Sequence, residues 1–467
     1  MPIINSVITQ GGVTPTGTLN ITSNGTRDVT NYAEVDVAVP TTAPESYIGL
    51  SQSDGNLIND RTSSFTVNLT GVTTINGNSP VFMNAFRNNS SITGEIDCSS
   101  ITSINSTVVF KNAFYFATGI TKVDFSGLTT VTGADCFNSA FRYMTNCLSL
   151  DFSNLTTING NYCFCYLCYN TEPQRYPVAL KTVDFSSLTS ITGDNCFLYA
   201  FSGAHNLETL NFSSLSTISG SNIFDHAFVG TKITSFFMPS LTSISSQRAF
   251  QECFSGNTNL TSVDFSGLTS ITGSNAFEQA FVRCTNLTNV NVKSLETISN
   301  YSGIGAYIFG YCSSLTTFKF ESLQTVGKGS FFAMFYQSGL QNLYFYALNP
   351  SSFGSYTNQF NFMLGGVSGC TVHFPMAIQS TIGSWSDVTN GFGGTNTTVL
   401  FDIVTSLTGA DSNTYTRKQK ESTSTATAWT YNSALYYTSG TTEPAVGDTI
   451  YSDAACTTAV TTISSIA

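Results

Sequence analysis

Twelve cysteines and a recurring aspartate are the residues of this 467-residue chain whose types and spacing point towards chemistry. The densest thiol group, Cys163-x-Cys165-x-x-Cys168, has a spacing that invites a metal or disulfide reading. Asp97, Asp124, Asp151 and Asp184 recur at near-regular intervals. Brought into one row at the inter-strand distance of about 5 Å, four carboxylates repel one another. That predicts raised carboxyl pKa values in part of the set, or a bound cation such as Ca²⁺. The plainer expectation is a hydrated row flanked by Ser and Thr hydroxyls. Catalysis is harder to assemble. His205, His226 and His373 lie far apart, and no G-x-S-x-G, H-E-x-x-H or phosphate-loop pattern occurs. A binding or structural protein is therefore expected rather than an enzyme, with no cofactor beyond that ion.

A period places these residues. The segment Val123-Asp124-Phe125-Ser126-Gly127-Leu128 has near-copies beginning at Leu150, Val183, Leu210, Phe236, Val263, Val290, Phe318 and Leu343, and weaker ones at Val67, Ile96 and Val372. The intervals centre on 27 residues, with one of 33 between Leu150 and Val183. In the best copy, Val263 and Phe265 alternate with Asp264 and Ser266, as the two sides of a short strand do. Thr272-Gly273 then makes a corner, and Ala276-Phe277 with Ala280-Phe281 has the four-residue spacing of one or two helical turns. One such unit cannot bury its apolar stripe alone, so neighbours must stack.

The register bears on the cysteines. Cys136, Cys163 and Cys196 share a slot filled elsewhere by Ala276, Ala249 or Ile223, and Cys284 and Cys312 share another. They are expected to pack as small buried hydrophobes, ahead of disulfides between stacked turns or zinc. Phe110, Phe137, Phe164, Phe197, Phe224, Phe250 and Phe277 share one register, and Phe114, Phe141, Phe201, Phe228, Phe254, Phe281, Phe309 and Phe335 another. Both predict core ladders.

The spacing of Leu260, Val263, Phe265, Leu268 and Ile271, with the run AFVRCTNLTNVNVKSLETI from Ala280 to Ile298, resembles the BspA-like leucine-rich repeats of bacterial surface and mucosal-parasite proteins. The resemblance covers about residues 65 to 402, has a longer period than usual for that family, and shows Ser where the family often has Pro, apart from Pro239 and Pro375. It implies a leucine-rich-repeat solenoid of the α/β class, short strands plus short helical arcs, with about twelve turns of about 27 residues.

The ends look different. GTLNITSNGTRDVTNYAEVDVAVP contains Asn24-Gly25, a hairpin-turn signal, and Val35, Val37 and Val39 alternate with other residues. It resembles a stretch of phage and prophage structural proteins, and residues 403–467 resemble small terminal β modules of phage fibre-like proteins. Three parts are expected: a β-hairpin attachment segment at 1–45, the solenoid with a C-terminal capping region at 46–402, and a small β module at 403–467. The only basic cluster, Arg417-Lys418-Gln419-Lys420, is expected to be a solvated linker.

A net charge of −11 argues against nucleic-acid binding. The opening lacks a signal-peptide pattern and no run of about eighteen apolar residues occurs, so neither membrane insertion nor classical secretion is expected. A virion protein reconciles these features, being made in a host cytoplasm and carried on the particle. Its expected partners are other virion proteins through a terminal module and a host-surface glycan or protein, with self-association left open. The alternative is a bacterial cell-surface adhesin. A hydrolase of surface polysaccharide is a third class.

Three contact sites are expected. Phe237 interrupts the polar strand face, where Lys319 also falls. Tyr344 and Tyr346 share a side near the far end, free to stack on sugar rings or a protein unless residues 350–400 cover them. The excess of the 33-residue repeat, with Arg175 and Tyr176, is expected to bulge outward as a loop.

Overall fold

The computed structural model describes the backbone of short strands within residues 18–51 and, from Thr66 on, every residue except 70–71, 77–80, 91, 300–302, 354–358, 419–421, 423–424 and 441–442. About twelve stacked turns form a solenoid of parallel strands. One row holds the first strand of each turn: Gly94–Asp97, Ile120–Asp124, Ser149–Asp151, Thr182–Asp184 and Thr209–Asn211 pair in sequence order. The row resumes as Ser235–Phe237, Ser262–Asp264 and Asn289–Asn291, and again as Thr317–Phe320, Asn342–Phe345, Thr371–Pro375 and Thr398–Ile403. A second row consists of two-residue strands such as Thr130–Val131, Thr157–Ile158 and Ser190–Ile191, each Val or Ile pointing into the core.

Through most of the solenoid the third side of the turn is not helical, contrary to the four-residue spacing; among the described residues, short α-helices appear only in the last turn, at Gln379–Ile382 and Ser386–Thr389. Ala113 donates its N–H to the Phe110 carbonyl at 2.9 Å, Ala117 to that of Phe114 at 3.0 Å, and φ is +54° at Asn112 and +58° at Phe116. A three-residue-back hydrogen bond with a left-handed third residue is the signature of a type II turn. The intervening N–H groups leave the turn altogether: Phe110, Asn112, Phe114 and Phe116 donate to Cys136, Asn138, Ala140 and Arg142 of the next turn, at 2.7–3.0 Å. Successive turns thus make a ribbon whose backbone is satisfied between neighbours, and the apolar residues recur every four because the turn does. A left-handed residue other than glycine costs about 1–2 kcal/mol; the inter-turn bonds hold Tyr166, Tyr199, His226 and Arg283 there regardless.

The amino-terminal strands also depart from expectation. Thr18–Ile21 pairs in parallel with Glu34–Val37, which pairs with Thr66–Asn68, while Gly25–Asp28 pairs in parallel with Ile48–Ser51. Thr18–Ile21 and Gly25–Asp28 therefore do not close a hairpin; the first row simply continues back to Thr18. Asn24 and Val39 lie outside the described residues.

Stacking buries aromatic ladders. Phe110, Phe137, Phe164, Phe197, Phe224, Phe250 and Phe277 follow one another at 5.0–5.4 Å. A further ladder, Phe125, Phe152, Phe185 and Phe212, runs at 5.2–5.3 Å and meets the first edge-on, as at Phe125–Phe137, 5.0 Å. Each fully buried ring contributes on the order of 2 kcal/mol of hydrophobic stabilisation. At the corner after the second strand, Gly133, Gly160, Gly193, Gly220 and Gly273 form a column in which a Cβ would overlap a carbonyl of the preceding turn.

Beyond the solenoid, Ser406–Gly409, Thr414–Arg417, Ala426–Tyr431, Ala434–Ser439, Thr449–Tyr451 and Ala459–Ile466 close an antiparallel six-stranded barrel. Its core comprises Val404, Leu407, Tyr415, Trp429, Ile450 and Ile463. Among the described residues, no helix is long and apolar enough to cross a membrane.

Candidate functional site: the two side-chain faces of the solenoid

The strand face carries the aspartate row in register, Asp97 beside Asp124, Asp151, Asp184 and then Asn211. Its purpose is local. In each case Oδ1 accepts the N–H two residues on, Ser99 at 2.9 Å, Ser126 at 2.8 Å, Ser153 at 2.9 Å and Ser186 at 2.8 Å. Asn211 and Asn291 make the same turn to Ser213 and Lys293, so the position calls for a side-chain oxygen rather than a charge. Lys122 adds an ammonium between Glu95 and Asp124. Burial alone would push the Asp124 carboxyl up, but hydrogen bonds from Ser126 and Lys122 outweigh it and hold it below its usual range. The expected raised value is therefore reversed at Asp124. Among the described residues no group of three or more His, Cys, Asp or Glu side chains is placed to hold a metal ion. Each carboxylate is turned to its own corner.

The cysteines sit in core slots, eleven buried and Cys456 half-buried. Cys136, Cys163 and Cys196 donate to the carbonyls of the glycine corners, Cys163 to Gly133 at 3.0 Å and to Gly160 at 2.9 Å. Burial pushes the Cys163 and Cys168 thiols well up, away from the thiolate that metal binding or nucleophilic chemistry needs.

Further along the strand face, Phe237 is 48% exposed. Lys319, Tyr344 and His373 stand side by side on consecutive strands. The Lys319 ammonium lies 5.8 Å from the Tyr344 ring centre and the His373 ring stacks on Tyr344 at 4.3 Å, with Nδ1 2.8 Å from Asp402. Tyr344 is thus flanked in the sheet rather than presented as an open platform. Tyr346 is covered from the barrel: the Arg417 guanidinium sits 4.9 Å over its ring, 2.6 Å from Glu443 and 2.8 Å from the Val404 carbonyl. Arg417, expected in a solvated linker, is a strand residue whose side chain is only 5% exposed.

The 33-residue repeat folds back on the turn ribbon. Tyr176 packs edge-on against Phe116 at 4.9 Å and Tyr143 at 5.5 Å, while Arg175 is exposed, 3.5 Å from Glu172. Beside it runs a feature that a helical arc would have scattered. Arg87, Tyr115, Arg142 and Tyr169 occupy one register on four consecutive turns, with guanidinium-to-ring distances of 4.8, 5.5 and 5.0 Å. Arg142 also stacks on Tyr143 at 5.1 Å, and its Nε and Nη2 donate to the Tyr169 carbonyl at 3.1 Å and the Tyr143 hydroxyl at 3.2 Å. Three residues earlier in the register, and on later turns, His226 lies on Tyr199 at 4.6 Å between Asp225, 2.5 Å from Nδ1, and Glu252, 3.1 Å from Nε2.

Residues 138–253, 175–302 and 221–361 each match the family described as the BspA type leucine-rich repeat region (6 copies). No curated protein matches the chain. Among solved structures, a leucine-rich repeat protein from Bacteroides ovatus ATCC 8483 is 19% identical with a TM-score of 0.40, covering 82% of this chain and 92% of its own. The Toll–Spätzle complex of Drosophila is 11% identical with a TM-score of 0.26, covering 87% of this chain and 61% of its own. Residues 138–361 are a leucine-rich repeat region of the BspA type.

Proposed function

We propose that this chain is a non-enzymatic recognition scaffold carried on a virion, its solenoid presenting a surface to a host-cell glycan or protein and its barrel attaching it to the particle. The observation that carries the reading is the ladder itself, which projects one side chain per turn from each register at about 4.8 Å and so repeats chosen residue types along a rigid, extended face. Rigid presentation lowers the ordering cost of binding. The barrel is a separate small core joined to the solenoid through Arg417 and Tyr346, which suits an attachment module. The virion itself rests on the resemblance of both ends to phage structural proteins.

The BspA-type match favours a second reading, a bacterial cell-surface adhesin built on the same recognition face. Gold-labelled antibody against residues 403–467 separates them. Label on purified particles is the expected result; label on the bacterial envelope with bare particles replaces the virion with the cell surface.

A further inference from the structure

Beside the Tyr176 loop, the turn-ribbon face holds two arginines stacked among tyrosines that the fold does not ask for. The register of Arg87, Tyr115, Arg142 and Tyr169 continues as Ser202, Val229 and Ser255, which complete the same ribbon without charge or ring. Nearby basic groups are already paired, Lys111 with Asp135 at 3.2 Å and Arg175 with Glu172 at 3.5 Å. Arg87 and Arg142 have no carboxylate partner among the described residues, in a chain with 28 acidic and 17 basic side chains. Both guanidiniums flank Tyr115, and Arg142 is fixed by three tyrosine rings and two hydrogen bonds through Nε and Nη2. Its Nη1 has no protein acceptor among the described residues. Two turns separate the arginines, a spacing of about 10 Å set by the solenoid rise.

We infer that this Arg–Tyr–Arg–Tyr ladder binds an acidic polysaccharide, its two guanidiniums taking carboxylates from successive repeats of the polymer. The inference rests on the recognition-scaffold reading and gives that scaffold a ligand class. A fixed guanidinium is suited to a carboxylate through paired, charge-assisted hydrogen bonds. The spacing matches a chain in which every second sugar is a uronic acid, and the half-buried Tyr115 and Tyr169 offer hydroxyls as polar partners for ring hydroxyls. An extended, stiff polymer lies along a stiff ladder with little ordering cost.

The test uses the full chain and a fluorescent hyaluronan decasaccharide, an alternating uronate polymer. Wild type binds it, more weakly as salt rises, and does not bind the carboxyl-reduced neutral form. Arg87→Gln and Arg142→Gln each weaken binding about tenfold with melting temperatures near wild type. Arg283→Gln, which removes an equal charge stacked on Tyr311 of the same face, leaves binding unchanged. Equal binding by the Arg87 and Arg142 variants, equal binding of polyglutamate of matched charge, or no binding by wild type overturns the inference. Host cells bound without the oligosaccharide also overturn it but spare the scaffold reading. Oligosaccharide binding that is lost in the two variants, without any host cells bound, supports the ladder and removes the adhesion reading.

Discussion

The guanidinium of Arg417 lies 4.9 Å from the centre of the Tyr346 ring, and through that contact the barrel meets the solenoid. Arg417 also serves the barrel, where Trp429 lies 5.7 Å away and Glu443 accepts its hydrogen bond. Removing it strands Glu443 and uncovers Tyr346. Arg417→Ala is expected to cost about 2 kcal/mol, below the 3–5 kcal/mol of a fully buried pair because Glu443 is 30% exposed. Trp429 fluorescence should report an earlier melt and limited proteolysis a faster release of residues 404–467. An unchanged melt would mean that other contacts carry the junction.

The aspartate row gives a prediction of the opposite kind. Because Asn211 and Asn291 make the corner turn as Asp151 does, Asp151→Asn should leave the melting temperature within about 0.5 kcal/mol equivalent of wild type. Adding Ca²⁺ or a chelator should not move it either. A calcium-dependent rise that Asp151→Asn abolishes would restore a cation to the row.

Why the repeats were legible and their third side was not is a matter of period. Strand alternation and the Phe registers survive stacking unchanged, so Phe110 to Phe277 and Asp97 to Asp184 fall where their spacing places them. A four-residue recurrence is shared by a helix and by a ribbon of type II turns. The discriminating signal was present in Asn84, Asn88, Asn112, Asn195, Asn222 and Asn275, residues that tolerate the left-handed region, and in Gly203, Gly230 and Gly256. Tyr and Arg in that conformation announce nothing by type. The Arg87–Tyr169 register becomes visible only once that side is a ladder. Arg417 was hidden for another reason: its partners Tyr346, Val404 and Glu443 are distant in sequence.

The glycine corner should be intolerant of a single methyl. A Cβ at Gly160 would overlap the Gly133 carbonyl oxygen, and backbone on both sides is fixed by the ladder. Gly160→Ala is expected to destabilise by about 2 kcal/mol, as overpacking does. Ser246 stands in the same column with a buried hydroxyl that lacks a partner among the described residues, so Ser246→Ala should raise stability slightly. Denaturant midpoints of the two variants moving the same way would contradict the column.

Thiol accessibility offers a further check. With eleven cysteines buried and Cys456 half-buried, a thiol reagent should titrate about one group quickly in the native chain and all twelve after denaturation. Fewer than twelve in denaturant without reductant would reveal disulfides.

The His226 cluster predicts a pH dependence with a definite sign. Burial lowers the imidazole pKa, but hydrogen bonding to Asp225 and the charges of Asp225 and Glu252 outweigh it and raise it above the ordinary 6.5. The proton is held more tightly in the folded chain than in the unfolded one. The stabilisation is therefore complete below about pH 6.5 and is lost as pH rises through the raised folded-state value. Tyr199, stacked on the ring at 4.6 Å, is the other titratable group facing it, and burial pushes its phenol up, outside this window. Wild type should lose stability between mildly acidic and mildly alkaline buffer relative to His226→Gln, whose difference from wild type should shrink as pH rises. A difference that stays constant, or widens with pH, would show that the proton on His226 does not bind more tightly in the folded state.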